Sequence, residues 1–255
     1  MLLRRGLRVL EANPRDGLIL PKRVKKDAER TFYELMKKYS FRLFLRNAIN
    51  LKEGFEAGDL LQYSTRDCVE DYIQALVESR IVVRAREPKF SFVESPVRGF
   101  GPTLEWFVAT VFEQEFGSSA LWGVKLAETK SGGDCDVVAE VENQFVYVEV
   151  KSSPPKHVTA NEVSTFLDRV EELRPNAAVF LEDTELRMKD KIIVLFKEAL
   201  SNRFDEKVAS ELTPQRMVRE LFRVGDHVYI ANSKPELVLN LMMCLRDWLG
   251  GKALA

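Results

Sequence analysis

The sequence predicts an α/β protein, with a mixed central sheet flanked by helices and a smaller, mainly α domain in front of it. Three observations predict it. From about residue 101 onward, runs of two-residue apolar period alternate with runs of helical period, the order that builds a sheet covered by helices on both faces. Before residue 95 the apolar period is mainly helical. Between the two regions, Ser95-Pro96-Val97-Arg98-Gly99-Phe100-Gly101-Pro102 concentrates Gly and Pro, which marks a linker. The expected domains are therefore 1–98 and 99–255.

A chain of 255 residues with 45% apolar and 30% charged residues and a net charge of −1 buries a real core, which excludes a disordered or fibrous polymer. No stretch approaches the roughly 18 uninterrupted apolar residues of a membrane span. The start, Met1-Leu2-Leu3-Arg4-Arg5, turns basic before an export signal's apolar region can form. A cytoplasmic protein without a membrane partner is expected. Cys68, Cys135 and Cys244 are odd in number and widely spaced, as in a reduced protein. With only His157 and His227 to join them and no C-x-x-C or H-x-x-x-H spacing, zinc chemistry and Cys/His nucleophilic catalysis are poorly supported, and any ion would need oxygen ligands.

Charge is unevenly distributed. Residues 1–100 hold 20 Lys/Arg against 14 Asp/Glu, and residues 101–255 hold 18 against 25. The first fifty residues alone carry 13 basic and 5 acidic side chains, the footprint of a nucleic-acid-facing surface, although a solvated helix face gives the same counts.

Each element follows from its pattern. Leu7 and Val9, then Leu18 and Leu20, flank Asn13-Pro14-Arg15-Asp16-Gly17 and predict a short hairpin over 7–24. Phe32, Leu35, Met36, Tyr39, Leu43, Phe44 and Ala48 recur at helical steps, which predicts helix over 26–49, broken near Ser40. Ser64-Thr65 caps a second helix carrying Val69, Tyr72, Ile73, Leu76 and Val77. Two β-prone runs, 81–84 and 89–93, follow around Glu87-Pro88. Helix, turn, helix, hairpin resembles a winged helix in element order, which implies docking to DNA or protein through the second helix and the wing. Beyond the linker, a helix over 103–116 precedes strands at 121–128, 136–142 and 145–152. Further helices at 159–173, 187–201 and 235–249 alternate with strands at 177–181 and 228–231. In the last helix Val238, Leu239, Leu241, Met242, Leu245, Trp248 and Leu249 form the core-facing stripe. Gly250-Gly251-Lys252 lacks the context of a phosphate loop.

The chemistry lies in Gly132-Gly133-Asp134-Cys135-Asp136-Val137-Val138 and, after ten intervening residues, Glu149-Val150-Lys151. A turn at Asn143-Gln144 places Asp136 opposite Lys151, whereas a turn at Glu142-Asn143 places Asp136 opposite Glu149. Either register gathers two carboxylates and an ammonium on one face, with Val137, Ala139, Val141, Val146, Val148 and Val150 on the other. Carboxylates held that close repel unless a cation or a proton intervenes, and hard oxygen ligands select Mg²⁺ or Mn²⁺.

Asp136, the Glu149-x-Lys151 strand and Glu105 in Gly101-Pro102-Thr103-Leu104-Glu105 together resemble the PD-(D/E)xK nuclease superfamily, over roughly 101–183. The resemblance implies a restriction endonuclease-like sheet and metal-dependent hydrolysis. It makes Asp136 and Glu149 metal ligands, Lys151 the group that orients water and offsets phosphate charge, and Glu105 an auxiliary acid of the metal shell. Cys135 stands in place of the eponymous Pro, with Asp134 as a rival ligand, and neither Asn161 nor Glu162 is matched to a helix residue of the motif. The resulting expectation is a Mg²⁺- or Mn²⁺-dependent nuclease acting on DNA, with a homodimer left open. The rivals are a non-catalytic DNA-binding or regulatory protein on a nuclease-like scaffold, and an adaptor that uses the winged helix for assembly.

Overall fold

The computed structural model describes residues 1–255 apart from 86, 87, 95, 96, 98, 128, 131 and 251–255. Its first elements are β1 (Val9–Glu11), α1 (Lys26–Met36), α2 (Tyr39–Asn50), α3 (Arg66–Glu78), β2 (Val82–Arg84), β3 (Phe90–Phe92) and α4 (Gly101–Glu115). There follow β4 (Ser119–Leu126), β5 (Cys135–Val141), β6 (Gln144–Lys151), α5 (Ala160–Leu173), β7 (Ala177–Glu182) and α6 (Ile192–Arg203). The chain closes with α7 (Glu206–Glu211), β8 (Gln215–Val218), β9 (Leu221–Val224), β10 (Val228–Asn232) and α8 (Leu237–Gly250).

Two compact units result, Pro14–Phe107 and Met1–Asn13 with Val108–Ala255. The division falls within α4, not at the expected 98/99 boundary, and the first residues join the sheet unit because β1 pairs with β4. Ser95, Pro96 and Arg98 of the expected linker, Glu87 of the expected turn, Glu128 at the end of one expected strand and Gly251-Lys252 lie outside the described residues. The expected hairpin over 7–24 does not form. Val9 pairs with Leu126, while Leu18, Ile19 and Leu20 are buried outside any strand, the Ile19 amide donating to Thr103 Oγ1 at 3.0 Å. The two halves of that hairpin belong to different units.

In the Pro14–Phe107 unit the long helical pattern breaks between α1 and α2, at Lys37 and Lys38, near the expected Ser40. Arg42 closes the break: it is fully buried, and its Nη1 donates to the carbonyls of Met36 at 2.6 Å and Lys37 at 3.0 Å. Thr65 caps α3 by accepting from the Cys68 amide. Phe41, Phe44, Phe55 and Tyr72 pack ring against ring, and β2 pairs antiparallel with β3, so helix, helix and hairpin follow in the expected order.

The other unit holds an eight-stranded sheet in the order β1-β4-β5-β6-β7-β10-β9-β8. It is mixed: β6–β7 and β7–β10 are parallel, the other pairs antiparallel. Apolar residues on both faces of the central strands make this possible, because helices must then cover each. On one face Tyr147 and Phe180 pack with Phe166 of α5 and Phe196 of α6. On the opposite face α8 covers β7 and β10, and the Tyr229 hydroxyl donates to Asp247 at 2.8 Å. The buried stripe of α8 is Leu237, Asn240, Leu241, Cys244, Leu245 and Trp248, rotated from the expected one so that Val238, Leu239 and Met242 are only partly buried. No described helix is long and apolar enough to cross a membrane.

Candidate active site

The β5–β6 hairpin sets the geometry. Glu142 and Asn143 both take left-handed φ, 49° and 60°, the requirement of a two-residue type I′ turn. Val141 therefore pairs with Gln144 and Val137 with Val148, the second of the two registers consistent with the sequence. One step further along the same ladder, Asp136 stands across from Glu149. Asp136 Oδ2 accepts the main-chain amide of Val150 at 2.7 Å, which ties the start of β5 to the strand between Glu149 and Lys151. The apolar face is as expected, with Val137, Ala139, Val141, Val146, Val148 and Val150 all buried.

Glu149 is 4% exposed, and such a carboxylate needs compensating partners. It has three. Its Oε1 meets Lys151 Nζ at 2.8 Å. Its Oε2 accepts from Arg169 Nη1 at 2.8 Å and from the Tyr147 hydroxyl. Lys151 Nζ also lies 3.5 Å from Glu162 Oε1, and Glu162 is fixed by its reciprocal capping bonds with Thr159 at the start of α5. Arg169 reaches in from α5, its Nη2 donating to the Gly132 carbonyl at 3.0 Å.

Electrostatics follow from these contacts. Burial opposes the charge on Lys151, but the adjoining Glu149 carboxylate and Asp136 outweigh it and raise the ammonium's pKa. Arg169 shows the same competition, burial against Tyr147 and Glu149, with the same upward outcome. Burial, then the charge of Glu149, pushes the Tyr147 phenol well above its usual value, so Tyr147 stays a donor. Burial raises the Cys135 thiol to about 12, which leaves it protonated and unreactive. Lys151 is thus a fixed cation at neutral pH, suited to charge stabilisation and not to accepting a proton.

Asp136, Glu149 and Lys151 are brought together in the sheet unit. Glu105 lies near the start of α4, in the Pro14–Phe107 unit. Asp134 is exposed in the turn before β5. Sequence reasoning missed Arg169 and Tyr147. The signal for Arg169 was an arginine on the face of α5 that buries Phe166 and Leu173. Also missed were the buried polar residues after β7 and β10. At that end of the sheet Ser233 Oγ and Asp183 Oδ1 are 2.6 Å apart, and the Asp183 amide donates to the Lys151 carbonyl. These positions cluster at the carboxyl ends of the parallel strands β6, β7 and β10, the end at which open α/β sheets bind ligands.

Among the described residues no group of three or more His, Cys, Asp or Glu side chains is placed to hold a metal ion. Asp136 and Glu149 nonetheless fit Mg²⁺ in kind and number, because that ion is commonly held by one or two carboxylates, with water and substrate phosphate supplying its other positions. Glu149 would hold such an ion in the presence of the Lys151 ammonium, which lies 2.8 Å from its Oε1.

No protein-family model matches the chain, and no curated protein does. Several solved structures are similar to it, among them the following two. One is the protein VC1899 from Vibrio cholerae, 17% identical over 69% of this chain and 51% of that one, with a TM-score of 0.47. The other is Can2 from Sulfobacillus thermosulfidooxidans in complex with cyclic tetra-adenylate, 15% identical over 97% of this chain and 59% of that one, with a TM-score of 0.50. The chain thus spans between half and three-fifths of the length of these solved chains. At such identity the likeness to Can2 concerns the fold, an α/β architecture whose mixed, helix-flanked sheet is consistent with the restriction endonuclease-like class.

Proposed function

We propose that the chain is a divalent-metal-dependent nuclease that hydrolyses phosphodiester bonds in DNA. The observation that carries this reading is the meeting of Lys151 with Glu149 at 2.8 Å on β6, one strand from Asp136, at the carboxyl end of a parallel strand. Asp136 and Glu149 would hold Mg²⁺ or Mn²⁺. The bound ion would supply Lewis acidity toward the phosphate and a water of lowered pKa. Lys151, kept protonated by its carboxylate neighbours, orients the attacking water and offsets charge that builds on the phosphate. No covalent intermediate is needed. The winged-helix-like order of the Pro14–Phe107 unit and the basic first fifty residues support DNA as the substrate.

One observation favours a second reading, a DNA-binding or regulatory protein without catalysis. Both oxygens of Glu149 are already compensated, by Lys151 and by Arg169. Incubation of the protein with labelled duplex, branched and single-stranded DNA and with RNA, in Mg²⁺, Mn²⁺ or EDTA, decides between the two. Cleavage that requires the ion and is lost in Lys151→Ala is the expected result, and E105Q tests the auxiliary acid separately. Salt-sensitive binding without cleavage selects the second reading, and no binding at all selects the adaptor. Because Can2 is described with cyclic tetra-adenylate, that ligand belongs in the panel as an added component.

A further inference from the structure

We propose that Arg169 is the positioning residue of the acid pair: its guanidinium holds the Glu149 carboxylate by Oε2 and clamps the Gly132-Gly133 turn that leads into Asp136. The inference rests on the metal-dependent reading above and adds to it a residue on α5 that lies outside the D…ExK pattern.

One planar side chain joins the two segments that carry the two acids. Arg169 Nη1 is 2.8 Å from Glu149 Oε2 and 3.2 Å from the Tyr147 hydroxyl, while Nη2 is 3.0 Å from the Gly132 carbonyl, four residues before Asp136. The turn closes tightly over it. Gly133 has φ +70°, and a Cβ there would lie 2.5 Å from Arg169 Nη2, so a side chain at 133 collides with the guanidinium. Arginine suits this task because its rigid fork presents separate donors in fixed directions, which the single ammonium of lysine cannot reproduce. With Oε2 engaged by Arg169, Oε1 is the oxygen that Lys151 meets. Side chains that orient metal ligands in this way change metal affinity or activity about 10- to 100-fold when they are removed.

The test is Mn²⁺ titration of the full chain, together with crystal structures, for wild type, R169Q and R169K. R169Q is expected to bind Mn²⁺ about 10- to 100-fold more weakly. R169K should fall between it and wild type, since lysine restores a cation to Glu149 but cannot also hold Gly132. In cleavage assays kcat should drop while KM for DNA stays near its wild-type value. The R169Q crystal structure should show a rotated Glu149 carboxylate and a displaced Gly132-Gly133 turn. A folded R169Q that binds Mn²⁺ as wild type does, or that keeps Glu149 in place, overturns the proposal. Should R169Q fail to fold, R169K and G133A carry the test, G133A by pushing the guanidinium aside without removing it, and wild-type Mn²⁺ affinity in both has the same consequence. Absence of Mn²⁺ binding by the wild type defeats the metal reading alone, and the position of Glu149 in the R169Q or R169K structure still decides the role of Arg169.

Discussion

At the scale of single residues, Lys151 separates the nuclease reading from a purely architectural one. Replacing it by Ala leaves Glu149 paired with Arg169, so the protein is expected to fold. Single-turnover cleavage is expected to fall about 100- to 1000-fold, the effect of losing one preorganised group worth about 2.7 to 4 kcal/mol in the transition state. Calorimetry should find Mn²⁺ bound no more weakly than in wild type, because the ammonium that competes for Glu149 Oε1 is gone. Equal cleavage rates would reduce Lys151 to a structural ion pair. Cys135 makes a different forecast. Its folded pKa, about 12, lies above the value of 9.0 for an ordinary thiol. The unfolded chain therefore loses this proton first as pH rises, and stability present below pH 9 is lost progressively toward pH 12, by up to about 4 kcal/mol. Denaturant midpoints for wild type and C135A across that range check the sign, since the C135A curve should decline less steeply. Asp136, Glu149 and Lys151 were legible because strand alternation fixes which side chains share a face. Arg169 was not, because its position on α5 becomes meaningful only once that helix lies over β6.

At the scale of elements, the turn before β5 and the hairpin after it decide the register of the acids. Gly132 and Gly133 both have positive φ, but a Cβ at 132 meets nothing within 4 Å whereas one at 133 meets Arg169. G132A should cost about 1 to 2 kcal/mol from backbone strain alone. G133A should cost a further ~1 to 3 kcal/mol, because the Arg169 guanidinium must shift and its hydrogen bonds to Glu149 and the Gly132 carbonyl weaken. Urea melts of the two variants measure the difference, and equal destabilisation would mean that the guanidinium yields freely. The elements with long periodic patterns, such as α5 and α8, were readable, and so were β5 and β6 with their alternating valines. α7, β8 and β9 were not. β8 and β9 have four residues each, and β8 is an edge strand with mostly exposed side chains, so neither carries enough apolar period to stand out from loop.

For the whole molecule, the basic N-terminal half is smaller as a surface than as a count. Arg4, Arg5 and Arg8 belong to the sheet unit, and Arg42 is buried with its guanidinium on backbone carbonyls. Lys22, Arg23, Lys25 and Lys26 remain on the Pro14–Phe107 unit, with Lys22 paired to Asp16 at 2.9 Å. Reversing all four charges is expected to weaken DNA binding broadly and to flatten its dependence on salt, by about 0.9 in log–log slope for each phosphate that is no longer neutralised. Fluorescence anisotropy at several salt concentrations measures that slope, and an unchanged one would assign these lysines and the arginine to solvation or protein contacts.

The sequence by itself determined the α/β class, the alternation of helices and strands after residue 101, and the shared face of Asp136, Glu149 and Lys151. These follow from local rules, the periods of 2 and 3.6 residues and the residue types that turns accept. Tertiary structure decided the rest. The I′ turn at Glu142-Asn143 chose between two registers of equal local merit, and pairing with β4 drew β1 away from Leu18 and Leu20. Packing of α5 over the sheet brought Arg169 to Glu149 across twenty residues of chain. The pairing of β1 and the docking of α5 depend on which distant surfaces bury one another, and a pattern along the chain cannot encode the partner that meets it.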